Sequence, residues 1–152
     1  MADDCGTCKT NRGEPPAPGG IIYDDGYWRV DHVFRPIPLL GWLIVKPLRH
    51  VTSIADLNAD EAERLGPLLQ RVASALTAEL ASTKVYAANF AEGEGFAHIH
   101  FHVVPRSATH PAEFRGPRVF GLWAKAQEQG DLAPLADVEA LADHLRTALA
   151  GG

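Results

Sequence analysis

Apolar and polar residues alternate with a period of two in short runs through the first third of the chain, give way to a helical period, and then repeat both. Ile21 to Tyr23 and Trp28 to Phe34 are rich in β-favouring residues and flank Asp24-Asp25-Gly26, which predicts a hairpin. Trp42 to Val45 predicts a third strand, approached through Pro36, Pro38 and Gly41 and stopped by Pro47. Leu65, Leu68, Leu69, Val72, Leu76 and Leu80 recur at helical spacing and predict a long helix with one buried face. Asn58 is placed to cap its first turn, with Glu61 as the capping-box acid. Gly66-Pro67 interrupts this pattern and predicts a kink, or a helix that begins effectively at Pro67. Val85 to Phe90 and Phe96 to Val104 predict two further strands, joined by a loop too short for a parallel crossover. A last helix after Pro134 would bury Leu135, Val138, Leu141, Leu145 and Leu149. These elements define an α+β fold: an antiparallel sheet of about five strands, a long helix packed on it and a C-terminal helix.

Length and composition narrow the setting. A chain of 152 residues fits one ordinary domain, long enough to bury about two thirds of the surface its unfolded form exposes. Residues 1–20 read as a lead-in carrying Cys5 and Cys8, irregular from Arg12 to Gly20, with order beginning near Ile21 and a single domain over 21–152. The chain has no apolar run of membrane-spanning length, and its acidic start lacks the basic-then-apolar character of a secretory signal, so a cytoplasmic protein is expected. A net charge of −5 argues against polymeric nucleic acid as a partner, because backbone affinity needs clustered Lys and Arg. A small anion is compatible with it, since local dipoles and a few cations suffice to hold one phosphate. In a cytosolic chain the Cys5-x2-Cys8 pair suggests metal before disulfide, although two cysteines do not complete a zinc site.

The run His98-Ile99-His100-Phe101-His102-Val103-Val104 is the most informative feature. On a strand, His98, His100 and His102 would line one face about 7 Å apart while Ile99, Phe101 and Val103 enter the core. Three imidazoles on one rigid surface invite anion or metal chemistry, including a three-histidine metal site.

This run resembles the signature of the histidine triad family, His-φ-His-φ-His-φ-φ with φ apolar, and matches it in full. The resemblance extends from Cys5 to about Arg106, through Gly41-Trp42-Leu43-Ile44-Val45 and Arg49-His50-Val51. It implies a nucleotide hydrolase or transferase acting at the α-phosphate of dinucleoside polyphosphates or nucleoside phosphoramidates, with adenosine or another purine as the expected base. The middle histidine, His100, would be the nucleophile that forms a nucleotidyl-histidine. His102 would stabilise the phosphoryl oxygens or the leaving group, and Asn89, His102 and His98 would contact substrate. A carbonyl of a neighbouring strand would hold the second nitrogen of the nucleophile. Cys5, Cys8, His50 and His98 match the family's structural zinc set, and the resemblance also implies a homodimer through the long helix and its adjoining strand.

Several positions depart from the family pattern. Glu94 and Gly95 stand where relatives often carry Gln and Ser or Thr, Trp42 stands in place of a His, and Val33 to Pro38 lacks the acid that grips the ribose. These departures support a second reading, a non-catalytic nucleotide-binding or regulatory protein of the same fold. Phe34 is placed to stack on a base. Trp123 reads as core or as part of a lid. Arg106, Arg115 and Arg118 read as surface residues or as ligands of distal phosphates.

Overall fold

A computed structural model describes residues 4–151. Its five-stranded antiparallel sheet comprises β1 (Ile21–Asp24), β2 (Trp28–His32), β3 (Leu43–Pro47), β4 (Lys84–Ala88) and β5 (Phe101–Arg106). The strands run in the order β1-β2-β3-β5-β4. The helices are α1 (Gly6–Asn11), α2 (Ala59–Leu80), α3 (Gly121–Gln129) and α4 (Leu135–Ala150).

The β1–β2 hairpin forms where the turn residues require it. Asp24 Oδ1 accepts from the Gly26 N–H, and Asp25 Oδ1 accepts from the N–H groups of Tyr27 and Trp28, so the carboxylates satisfy the donors that the turn leaves unpaired. Helix α2 carries the expected capping box between Asn58 and Glu61. Of the two expected alternatives, a start at Pro67 is ruled out: the helix runs continuously from Ala59 to Leu80 with Pro67 inside it. Gly66, having no Cβ, removes part of the clash that proline makes with the residue before it.

One face of the sheet packs on α2 and α4 through Trp28, Val30, Leu43, Val45, Phe101 and Val103, which meet Leu68, Val72, Leu76, Leu141 and Leu145. The alternate residues face the other way. There Trp42, Ile44 and Val104 form a second cluster with Val119 and Leu122, brought by α3 and the turns before it. The sheet therefore lies between the long helices and a shorter C-terminal cover.

Three elements differ from the sequence reading. Residues 12–20 are irregular as expected, but order begins before Ile21, because α1 forms ahead of them and is pinned to the sheet by Asn11, whose Nδ2 donates to the Pro47 carbonyl at 2.9 Å. Helix α3 escapes the pattern because its first turn has no side-chain cap and its sequence no strong apolar stripe. Strand β5 begins at Phe101 rather than Phe96. Pro47 ends β3, and Ile99 donates instead to the Val51 carbonyl at 2.8 Å, so the chain at His98 to His100 lies beyond the ladder. Among the described residues no helix is long and apolar enough to cross a membrane.

Candidate active site

On the sheet face away from α2 and α4 lies a pocket of about 560 Å³, a volume suited to a nucleotide-sized ligand. His100 and His102 line it together with Val33, Phe34, Ile44 and Lys46 of the sheet side, Thr7 and Thr10 of α1, the 90–96 loop, and Phe120 and Trp123. The rings of His100 and His102 are 5.0 Å apart between centroids.

The hydrogen bonds define the state of each ring. His100 Nδ1 lies 2.9 Å from the His98 carbonyl. A carbonyl only accepts, so Nδ1 carries the proton and the lone pair of the neutral ring is at Nε2. The holding carbonyl thus belongs to the residue two positions back and not to a neighbouring strand as expected, because His98 to His100 lie outside the ladder. Asn89 fixes the backbone of the same residue, its Oδ1 accepting from the His100 N–H at 3.3 Å, which leaves the amide's Nδ2 as a donor.

His102 is arranged the other way round. Its Nδ1 accepts from Trp42 Nε1 at 3.0 Å, and since indole only donates, the His102 proton is at Nε2. Burial first, and the neighbouring His100 second, push its pKa down to about 4. Trp42, the departure noted at the third strand, therefore sets the tautomer of His102. Phe120 and Trp123 enclose that ring at 5.1 and 6.1 Å. Trp123 is consequently part of the site's wall as well as of the packing.

His98 does not join the other two. Its side chain is fully buried and absent from the pocket wall, which corrects its assignment as a substrate contact. Nε2 donates to the Pro47 carbonyl at 3.0 Å, and Nδ1 lies 3.4 Å from Cys8 Sγ. Burial, reinforced by His50, lowers its pKa to about 4. A three-histidine metal cage built on His98, His100 and His102 is thus not assembled. The only cluster suited to a metal among the described residues is Cys5, Cys8, His50 and His98, whose ligand atoms lie within 4.8 Å of one another. Cys8 Sγ is 3.3 Å from His50 Nδ1. A tetrahedral ion with sulfur at about 2.3 Å and nitrogen at about 2.0–2.1 Å spaces its sulfur and nitrogen ligands by about 3.5 Å. The two sulfur–nitrogen distances from Cys8 match that spacing, and two thiols with two imidazoles are a donor set suited to one zinc ion.

The remaining candidates are placed less centrally. Glu94 is exposed and off the pocket wall, while Glu92, not singled out from the sequence, lines it. The guanidinium groups of Arg106, Arg115 and Arg118 donate to backbone carbonyls of residues 107, 110 and 112. None reaches the pocket. Lys46, also unflagged, lines it, and Phe34 does so as expected.

Comparison with known proteins follows the same lines. Residues 16–109 match the model of the HIT domain, and the chain belongs to the histidine triad family. A zinc-bound histidine triad family protein from Mycobacterium smegmatis is 25% identical, with a TM-score of 0.68 over 99% of this chain and 96% of that one. A Hit-like protein from Bartonella henselae, described as involved in cell-cycle regulation, is 18% identical, with a TM-score of 0.67 over 96% and 97% of the two chains. A hypothetical histidine triad nucleotide-binding protein from Sulfolobus tokodaii is 17% identical, with a TM-score of 0.68 over 96% and 92%. A search of curated proteins returned no match.

The neutral buried histidines make stability depend on pH. Burial lowers the pKa of His32, His98 and His102, so between about pH 4 and 6.5 the unfolded chain binds more protons than the folded one. Metal-free protein should therefore lose stability as pH falls through that window. For His102 alone, the interval from 6.5 to about 4 corresponds to about 2 kcal/mol lost between pH 8 and pH 5. Urea denaturation at these two pH values checks this, with equal midpoints as the contrary result.

Proposed function

We propose that this protein is a nucleotide hydrolase or transferase that works through a covalent nucleotidyl-histidine at His100. The observation carrying this reading is the opposed pair of tautomers: an imidazole with its lone pair at Nε2 beside an imidazole with its proton at Nε2. In the first step His100 Nε2 attacks the α-phosphorus. The new P–N bond forms as the bond to the leaving group breaks, and that group departs with the electron pair. The positive charge that grows on His100 is stabilised by the His98 carbonyl at Nδ1. His102 Nε2–H donates to a phosphoryl or leaving-group oxygen, and the Asn89 amide supplies a second donor. Attack by water or another acceptor then breaks the P–N bond and restores His100.

The substrate class follows from charge. The triad-side arginines are bound to backbone carbonyls, so the pocket offers no guanidinium to a long polyphosphate. A nucleoside phosphoramidate, with a single phosphate at the triad, fits this pocket better than a dinucleoside polyphosphate.

Zinc is assigned to Cys5, Cys8, His50 and His98 as a structural ion that ties α1 to the sheet; four protein ligands leave no position for a catalytic water. Thiolate ligands belong in a reducing compartment, in keeping with a cytoplasmic protein. A homodimer is assigned to the open surface along β4 and the C-terminal half of α2, because β4 ends the sheet and, among the described residues, its outer edge has no neighbouring strand.

Mixing the protein with adenosine phosphoramidate and quenching at alkaline pH should give an intact mass increased by one nucleoside monophosphate. His100→Asn should show neither adduct nor turnover, and turnover retained in that variant would sink the covalent reading. Metal analysis of purified protein should find about one zinc per chain, falling to a small fraction in Cys8→Ser but unchanged in His100→Asn; equal loss in both would refute the assigned ligand set. Sedimentation equilibrium should return twice the 16.4 kDa chain mass, and a monomer at micromolar concentration would dismiss the dimer.

A further inference from the structure

Helix α1 belongs to two sites at once. Cys5, its N-cap residue, and Cys8 are members of the cysteine–histidine cluster, while Thr7 and Thr10 line the pocket. The spacing of three within each pair puts the cysteines on one stripe of the helix and the threonines on the neighbouring one. Helix α1 spans only Gly6–Asn11, well short of the about 12–15 residues at which an isolated helix becomes even marginally stable in water, so its position is decided by what it is tied to.

The ties at its two ends differ. The C-terminal end is bonded to the sheet: Thr10 Oγ1 accepts from Lys46 Nζ of β3 at 2.9 Å, Asn11 Nδ2 donates to the Pro47 carbonyl at 2.9 Å, and the Asn11 carbonyl accepts from Arg29 of β2. Lys46 is itself held by Asp31 of β2 in a buried ion pair. The N-terminal half is held by the cluster, where Cys8 meets His50 and His98, and by a bond from the Gly6 N–H to the Gly95 carbonyl at 2.8 Å. Among the described residues, that last bond is the only hydrogen bond joining residues 90–97 to the rest of the chain. The ring of Phe96 sits directly on Gly6, where a Cβ would come within 2.4 Å of two ring carbons, so the joint depends on the close approach that glycine permits. Phe90, Ala91, Glu92, Gly93 and Phe96 of this loop form one wall of the pocket.

We infer that the cluster governs the closure of the pocket: Cys5 and Cys8, when they hold an ion, fix the N-terminal half of α1, which through Gly6 fixes the 90–96 loop as a wall, so that metal and nucleotide binding are positively coupled. The inference rests on the zinc and nucleotide assignments above. Without the ion, the N-terminal half of α1 and the loop lose their shared tie to His50 and His98, while the C-terminal end of α1 stays bonded to β2 and β3. Coupling between two ligands is reciprocal, so nucleotide must tighten metal binding by the factor with which metal tightens nucleotide binding.

Calorimetric titration with adenosine monophosphate should show about tenfold weaker binding to chelator-treated protein than to zinc-loaded protein, and competition for zinc against a coloured chelator should show the same factor when the nucleotide is added. Gly6→Ala keeps all four ligands and displaces the half-exposed Phe96 ring. It should retain its zinc yet bind adenosine monophosphate within about twofold of the metal-free value, which separates this route from the one through the His98 carbonyl. Hydrogen exchange is the second measurement: on metal removal, residues 5–8 and 90–97 should exchange about tenfold faster while α2 is unchanged. Equal nucleotide affinity with and without zinc overturns the inference, and so does a Gly6→Ala variant that binds as the loaded unmodified protein does. A matching rise of exchange in α2 also overturns it, since the ion would then be a staple of the whole domain. If Gly6→Ala loses its zinc, affinity and exchange in the unmodified protein decide. Zinc and nucleotide both bound with a ratio near one removes this inference alone, whereas a failure to bind one of them in any form removes the assignment of that ligand with it.

Discussion

His98 is used twice, and the architecture of the site depends on that double use. Its side chain points into the cysteine–histidine cluster, held by the Pro47 carbonyl at one nitrogen and facing Cys8 with the other. Its backbone carbonyl accepts from His100 Nδ1. A shift of this one residue would therefore move both the anchor of the N-terminal helix and the ring proposed as nucleophile. The departure from strand geometry at 98–100 makes this possible, because a residue inside the β3–β5 ladder would have its carbonyl committed to a neighbouring strand.

The sheet-and-helix frame was legible in the sequence because its signals are local. Asp24-Asp25-Gly26 states a turn, Asn58 with Glu61 states a helix start, and the leucine spacing states a buried face. The triad's outward and inward alternation also held for His100 to Val103. What failed needed information from distant residues. Helix α1 has too few apolar positions to register as a helix and is fixed by partners on the sheet, such as Pro47. Pro67 reads as a kink or a helix start, yet the helix runs through it, and Gly66 before it lacks the Cβ that would add to the clash. Lys46 occupies an alternating position in a strand otherwise apolar; that a cation at such a position must meet an anion was a signal in the sequence, but its partner Asp31 lies on another strand.

The matched domain spans residues 16–109, yet both ends of the chain beyond it contribute walls to the pocket. Thr7 and Thr10 precede that span, and Phe120 and Trp123 follow it. The sheet supplies the histidines, and the flanking segments supply the enclosure that lowers the His102 pKa and surrounds Lys46. Segments outside the shared frame are where the chemistry of the triad is tuned, since burial sets which protonation state each group holds.

The bond from Trp42 to His102 has one more consequence. Histidine often passes protons by accepting at one ring nitrogen and releasing at the other, but an indole holds its hydrogen permanently and offers no lone pair in exchange. The ring of His102 is therefore closed toward the protein interior, a terminus and not a link in a proton wire. Any proton it gives up in the pocket has to return from the pocket, through the departing group or the incoming acceptor, so each cycle of the proposed reaction must balance its protons among the reactants themselves.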